Sequence, residues 1–176
     1  MLVQFDNFGR VVGLGTRLNH NLGVILGDGR CYSTGVRSSD LLTLSLVDNK
    51  GIYKDQDGRT FIEVHERFMG WGVPFSHFDR YSDGRIYNID DLKIDYYSDG
   101  RIMKIGSVGF LYYSDGRFMD IGSITVRYFS DGRIMNIDNT KFSYYPDGRL
   151  MTVGGLKFTY YSDGRISVIG EAYFNK

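Results

Sequence analysis

The sequence predicts an all-β protein, an antiparallel β-hairpin repeat array that forms an extended meander sheet. Three observations carry this prediction: a 16-residue repeat, turn signals at two fixed places in each repeat, and alternating apolar residues between those turns. A short fixed period is typical of architectures in which one supersecondary unit is copied along the chain. Each unit is therefore expected to supply two short strands.

The repeats fill the second half of the 176-residue chain. The unit is roughly Tyr-Ser-Asp-Gly-Arg-Ile-Met-x-Ile-Gly-x-Val-x-Phe-x-Tyr, and its six copies begin at Tyr81, Tyr97, Tyr113, Phe129, Tyr145 and Tyr161. In the fifth copy Pro146 and Gly148 take the second and fourth turn positions, which predicts a type I turn followed by a glycine bulge. The second turn, such as Gly106-Ser107, is typical of a two-residue hairpin of the primed types.

The alternation of side chains along the strands, combined with the two turn lengths, predicts a change of register. Val108, Phe110 and Tyr112 recur at every second position, as do Leu156, Phe158 and Tyr160, which alternate with Lys157 and Thr159; this pattern indicates a half-buried strand. A two-residue turn and a three-residue bulged turn, taken together, would move the apolar face to the other side of the sheet at every repeat. We therefore expect a β-bulge to re-phase the strands. A parallel β-solenoid is the alternative arrangement, and a closed barrel or sandwich is a third.

Residues 1–80 are predicted to form an irregular N-terminal β region with degenerate repeats. Asp-Gly-Arg, the turn tripeptide of the repeats, also begins at Asp28 and Asp57. Leu41 to Val47 alternates in polarity and favours a strand over a short helix. Because no linker or charge run divides the halves, this region is expected to continue into the six 16-residue hairpins of residues 81–176.

Composition excludes several function classes. Basic and acidic residues number 21 each, so the formal net charge is zero. Nucleic-acid and anionic-membrane surfaces need a positive excess, and neither partner is expected. Cys31 is the only cysteine and cannot form an internal disulfide. The N-terminus lacks the pattern of a signal peptide, and no apolar stretch has the length of a membrane span, so a cytoplasmic location is expected.

The turn sequence resembles a known repeat family. The segment Phe5-Asp6-Asn7-Phe8-Gly9-Arg10-Val11 is similar to the Tyr-Asp-x-x-Gly-Arg-Leu core of the YD repeats found in Rhs and Tc-toxin shell proteins. Later units keep most of this core, as in Tyr96-Tyr97-Ser98-Asp99-Gly100-Arg101-Ile102, with Tyr97 in place of the family's Asp. The resemblance implies spiralling antiparallel sheets of hairpins. The period is shorter here than is usual for that family.

Few residues are left over for chemistry. In the recurring Asp-Gly-Arg, the Asp and Gly are expected to make the turn and the Arg to stack on the adjacent tyrosine. His65, Glu66 and His77 lie near one another in sequence but lack the His-Glu-x-x-His spacing of a zinc site. Cys31 is interpreted as a buried structural thiol. We therefore expect no catalytic residue, no metal site and no cofactor, and the protein is not expected to be an enzyme.

Aromatic residues form the candidate binding surface. Trp71 and Phe75 lie in the most unusual non-repeat segment, where exposed rings would suit a partner. The repeats add two tyrosine columns, one of which is expected to be exposed, and its candidate binding residues are Tyr97, Tyr113, Tyr145 and Tyr161. The expected function is a non-catalytic structural or interaction protein that binds a protein partner or itself. Carbohydrate binding by an exposed tyrosine column is the alternative, and a fragment of a toxin-shell-like assembly is a second alternative.

Overall fold

The protein is all-β and antiparallel, as the repeats predict. The structure is a computed structural model and describes residues 1–18, 22–27, 35–48, 50–64 and 77–174. Neighbouring strands in these residues pair in antiparallel ladders and follow one another along the chain. The solenoid alternative is therefore wrong for the described part of the chain, because it requires parallel pairs.

The N-terminal part forms a closed barrel of six strands. The barrel closes because β1 (Leu2–Phe5) pairs with both β2 (Val11–Arg17) and β6 (Thr60–Glu63). A 3₁₀ turn at Ser38–Asp40 precedes β4 (Leu41–Asp48), which confirms the strand expected at Leu41 to Val47. The strands are β1 (Leu2–Phe5), β2 (Val11–Arg17), β3 (Leu22–Gly27), β4 (Leu41–Asp48), β5 (Ile52–Asp55) and β6 (Thr60–Glu63).

The repeats form one 13-stranded sheet in which neighbours in sequence are neighbours in space. The expected continuity of residues 1–80 with this array stays a prediction, but the closed barrel departs from a simple open meander. The strands are β7 (Phe78–Arg80), β8 (Ile86–Ile89), β9 (Leu92–Tyr96), β10 (Ile102–Ile105), β11 (Val108–Tyr112), β12 (Phe118–Ile121), β13 (Ile124–Tyr128), β14 (Ile134–Ile137), β15 (Thr140–Tyr144), β16 (Leu150–Val153), β17 (Leu156–Tyr160), β18 (Ile166–Ile169) and β19 (Ala172–Tyr173).

A β-bulge in each unit keeps the apolar face of the sheet on one side. In β10, Ile102 pairs with Tyr96 and Lys104 pairs with Asp95, so Met103 is the extra residue. Ile102 and Ile105 are both buried, whereas Met103 and Lys104 are both exposed. The same register shift recurs in the other units. The predicted re-phasing by a bulge is confirmed, and it occurs just after the Asp-Gly-Arg turn.

The barrel strands are buried on both faces. Leu2, Tyr53 and Phe61 belong to a small cluster with other barrel residues. Their sequence neighbours Val3 and Ile62 belong instead to the large core that also contains the apolar residues of the repeat sheet. One face of the barrel wall therefore fills the barrel, and the other packs against the sheet. This explains why the N-terminal strands lack regular polar alternation.

Direct contacts join the sheet to the barrel. The rings of Phe5 and Phe158 pack edge to face with centroids 5.3 Å apart. The N–H groups of Leu150 and Ile166 donate to the carbonyls of Gly9 (2.7 Å) and Asn7 (2.8 Å) respectively. Gly9 has a φ of +73°, and a Cβ atom there would lie 2.0 Å from the Tyr160 hydroxyl oxygen. The N-terminal turn thus contacts the last two repeats directly.

Candidate interaction surface

Each Asp-Gly-Arg turn of the six repeats is held by its own aspartate. In the second repeat, Asp99 accepts the backbone N–H of Arg101 at 3.0 Å and its side-chain Nε–H at 2.7 Å. Gly100 closes the turn by donating to the Tyr97 carbonyl, and its φ is +90°. The arginine side chain and backbone hold the pKa of Asp99 below its usual range. These polar residues therefore serve the turn, which agrees with the structural interpretation of the tripeptide.

The arginines stack mainly on the tyrosine eleven residues later in the chain, the last residue of the same repeat. Arg101 lies 4.8 Å from the Tyr112 ring centroid and 5.9 Å from that of Tyr97. The expected stacking on the adjacent ring is thus the longer of two contacts. Cation–π contacts of this kind hold one turn against the next. The shorter contact recurs in five pairs: Arg85–Tyr96, Arg101–Tyr112, Arg117–Tyr128, Arg133–Tyr144 and Arg149–Tyr160.

Five tyrosines, here called the wedge tyrosines, fill the gaps between successive hairpins. Strands β10 and β11 form ladder pairs only at their Gly106-Ser107 end. At the other end Tyr112 packs against the core and donates its hydroxyl to the Ile102 carbonyl at 2.8 Å. The side chain thus satisfies a backbone acceptor that the ladder leaves open. The wedge tyrosines are Tyr96, Tyr112, Tyr128, Tyr144 and Tyr160.

The second aromatic column, here called the rim aromatics, lies outside the core along the Asp-Gly-Arg turns. Its members are the first residues of the repeats, Tyr81, Tyr97, Tyr113, Phe129, Tyr145 and Tyr161. Tyr97 packs edge to face on Tyr112 at 6.2 Å and donates its hydroxyl to the Phe110 carbonyl at 3.1 Å. Tyr81 and Phe129 are exposed, and the other four rings are half-buried. The candidate residues Tyr97, Tyr113, Tyr145 and Tyr161 therefore take part in packing between hairpins.

The other candidate residues fall in two groups. Trp71 and Phe75 lie outside the described residues, as do His65, Glu66 and Cys31. His77 is exposed, and its Nε2 lies 2.9 Å from Asp79 Oδ1. Within the described ranges, no group of three or more His, Cys, Asp or Glu side chains is placed to hold a metal ion.

No helix in the part of the chain that the structure describes has the length and apolarity to cross a membrane.

The sequence interpretation missed the outer face of the repeat sheet, opposite the barrel. The bulge turns two consecutive residues outward in each repeat, and four of the first residues are methionine. Met103 is 39% exposed, and Leu111 on the adjacent strand is 49% exposed, whereas the equivalent methionines of the next three repeats are half-buried. The four outer methionines are Met103, Met119, Met135 and Met151. Their 16-residue spacing is visible in the sequence, but their shared orientation depends on the bulge.

The comparisons with known proteins contribute no relative. No family model, no curated protein and no solved structure matches this chain. The resemblance to YD repeats stays a prediction.

One prediction compares two wedge tyrosines. Tyr112→Phe removes the hydroxyl donor of the Ile102 carbonyl, and we expect a loss of about 1 kcal/mol in the free energy of unfolding. Tyr128→Phe is the matched control, because its buried hydroxyl has no hydrogen-bond partner among the described residues. We expect that change to be neutral or stabilising, because it removes a buried unsatisfied polar group. Urea unfolding of both variants measures the difference, and equal losses would contradict the assignment.

A second prediction concerns alkaline pH. Burial raises the pKa of Tyr96 to about 12 and also raises the pKa values of Tyr128, Tyr144 and Tyr160. A raised folded-state pKa leaves stability complete below the unfolded value near 10, and stability falls as the pH rises through the folded value. We expect the last part of the tyrosinate absorbance, which comes from the buried tyrosines, to rise together with the loss of β circular dichroism above pH 10. Complete tyrosine ionisation with the sheet intact would contradict burial of the wedge tyrosines.

Proposed function

We propose that this protein is a non-catalytic interaction protein whose outer sheet face binds a protein partner or a second copy of the chain. The observation that carries the proposal is the regular outer face, on which the bulged residues of successive repeats point away from the barrel. The charged turn residues form ion pairs within their own turns, and the wedge tyrosines pack against the core. The outer face is a repeated feature that presents solvent-accessible apolar side chains, Met103 and Leu111 among them.

The chemistry of the outer face suits a protein surface. Equivalent methionines are separated by two strands, which places them about 10 Å apart along the sheet. Methionine side chains are flexible and polarisable, and they adapt to partners of irregular shape. Charges of both signs surround them, including Lys104, Asp120 and Arg127. A mixed apolar and charged surface is typical of protein interfaces and lacks the basic excess that nucleic acids require.

The last strand supports self-association as one form of this function. In the described part of the chain β19 pairs only with β18, so its other edge is open. Tyr173 on this strand is 82% exposed. An open edge with an exposed aromatic residue can add a strand from another chain.

Photo-methionine cross-linking tests the proposal at the proposed surface. The chain contains six methionines, and four of them lie on the outer face. We expect the photo-methionine protein, expressed in its native cells, to cross-link to a defined protein or to itself. The matched variant carries Leu at positions 103, 119, 135 and 151, which keeps the face apolar but removes its photoreactive groups. We expect the adduct to disappear.

The variant retains Met1 and Met69, which serve as internal controls for incorporation of the label. Adducts that persist unchanged in the four-leucine variant would place the contact elsewhere and contradict the proposal. Absence of a defined adduct in both proteins would contradict it as well. Circular dichroism and light scattering verify that the variant keeps its fold and its oligomeric state.

A further inference from the structure

A polar cavity lies where the N-terminal turn, the β5–β6 turn and the last repeat meet. Its volume is about 140 Å³, which suits a small ion or a ligand of a few heavy atoms. One wall is fixed by the hydrogen bond from the Ile166 N–H to the Asn7 carbonyl. The lining residues are Asp6, Asn7, Lys54, Gly58, Thr60, Tyr161, Arg165, Ile166 and Phe174. The cavity therefore forms only when the barrel packs against the repeat sheet.

Lys54 supplies an uncompensated positive charge. Its ammonium lies 5.5 Å from the Phe174 ring centroid, and no carboxylate among the described residues pairs with it. Asp6 is the one acid in the lining, and its Oδ1 already accepts the N–H groups of Phe8 and Arg10, each at 2.9 Å. The acid is thus engaged in its own turn, and the ammonium has three donors for a ligand.

Arg165 differs from the equivalent arginine of every earlier repeat. Asp163 holds it through Nε at 3.0 Å and Nη2 at 2.8 Å, as in the other turns. The five earlier arginines lie 4.4–5.0 Å from the ring centroid of the wedge tyrosine that ends the same repeat. The residue eleven positions after Arg165 is Lys176, so the next ring of the series is missing. Arg165 lines the cavity instead.

We propose that this cavity binds a small oxyanion, a carboxylate or a phosphate, between Lys54 and Arg165. Both side chains donate charge-assisted hydrogen bonds to such oxygens, and the guanidinium presents them in a fixed plane. Two cations and one carboxylate line the cavity. Asp163, outside the lining, pairs with Arg165, so Lys54 supplies the unpaired positive charge and Arg165 supplies its remaining guanidinium N–H donors. Thr60 and Asn7 add neutral polar groups that can complete the oxygen contacts. This inference concerns a small ligand bound between the barrel and the last repeat, and it goes beyond the interaction surface on the outer face of the repeat sheet.

Amide NMR titration tests the site with two probes, sodium phosphate and sodium acetate, at pH 7 and constant ionic strength set with sodium chloride. We expect saturable shifts at the amides of Gly58, Thr60 and Ile166 with at least one probe. Saturation by phosphate alone assigns a phosphate ligand, and saturation by acetate alone assigns a carboxylate ligand. Shifts that stay linear in concentration, or that spread over exposed lysines, would overturn the proposal.

Paired variants separate the cavity from the fold. Lys54→Met and Arg165→Gln should each raise the dissociation constant from the titration about tenfold or more, because each removes a charged donor. Lys141→Met controls for the loss of an exposed lysine, and Arg133→Gln controls for the loss of an Asp-Gly-Arg pair. Both controls should bind as the unchanged protein does. Equal binding by Lys54→Met and the unchanged protein would overturn the proposal, even if Arg165→Gln fails to fold.

Discussion

The register shift after each Asp-Gly-Arg turn is the constraint on which the repeat sheet depends. Alternating side chains point to opposite faces of a strand, so a slip of one residue moves a whole apolar set to the other side. The two turn lengths in each repeat would cause such a slip. The bulge at Met103 and its equivalents cancels it, and thereby keeps Ile102 and Ile105 on the core side. One extra residue per repeat gives the sheet a single buried face.

That buried face determines the role of the barrel. A sheet with one apolar face is stable only when another layer covers that face. The six N-terminal strands provide the layer, since Val3 and Ile62 face the sheet while Leu2 and Phe61 face the barrel interior. The same arrangement leaves the opposite side of the sheet in solvent. The proposed interaction surface and the proposed anion cavity are thus consequences of one packing relation.

The sequence was sufficient to predict the turns and strands of the repeats, but not the long-range strand pairing that closes the barrel. Pro146 and Gly148 identified the turn type, and the alternation of Val108, Phe110 and Tyr112 identified the strands. Pairing of β1 with β6 joins residues about sixty positions apart, and no local pattern encodes it. The tyrosine columns could be found by their spacing, but which column packs against the core depends on the bulge and on the barrel. The cavity brings together Lys54 and Arg165, which only the closed fold places near each other.

The contact between Phe5 of the barrel and Phe158 of the sheet tests the central claim most directly. A double-mutant cycle with Phe5→Leu and Phe158→Leu, measured by urea unfolding, gives the coupling energy between the two rings. An edge-to-face pair in a shared core predicts a coupling of about 1 kcal/mol. Additive losses within about 0.3 kcal/mol, together with separate unfolding transitions for barrel and sheet, would contradict a shared core.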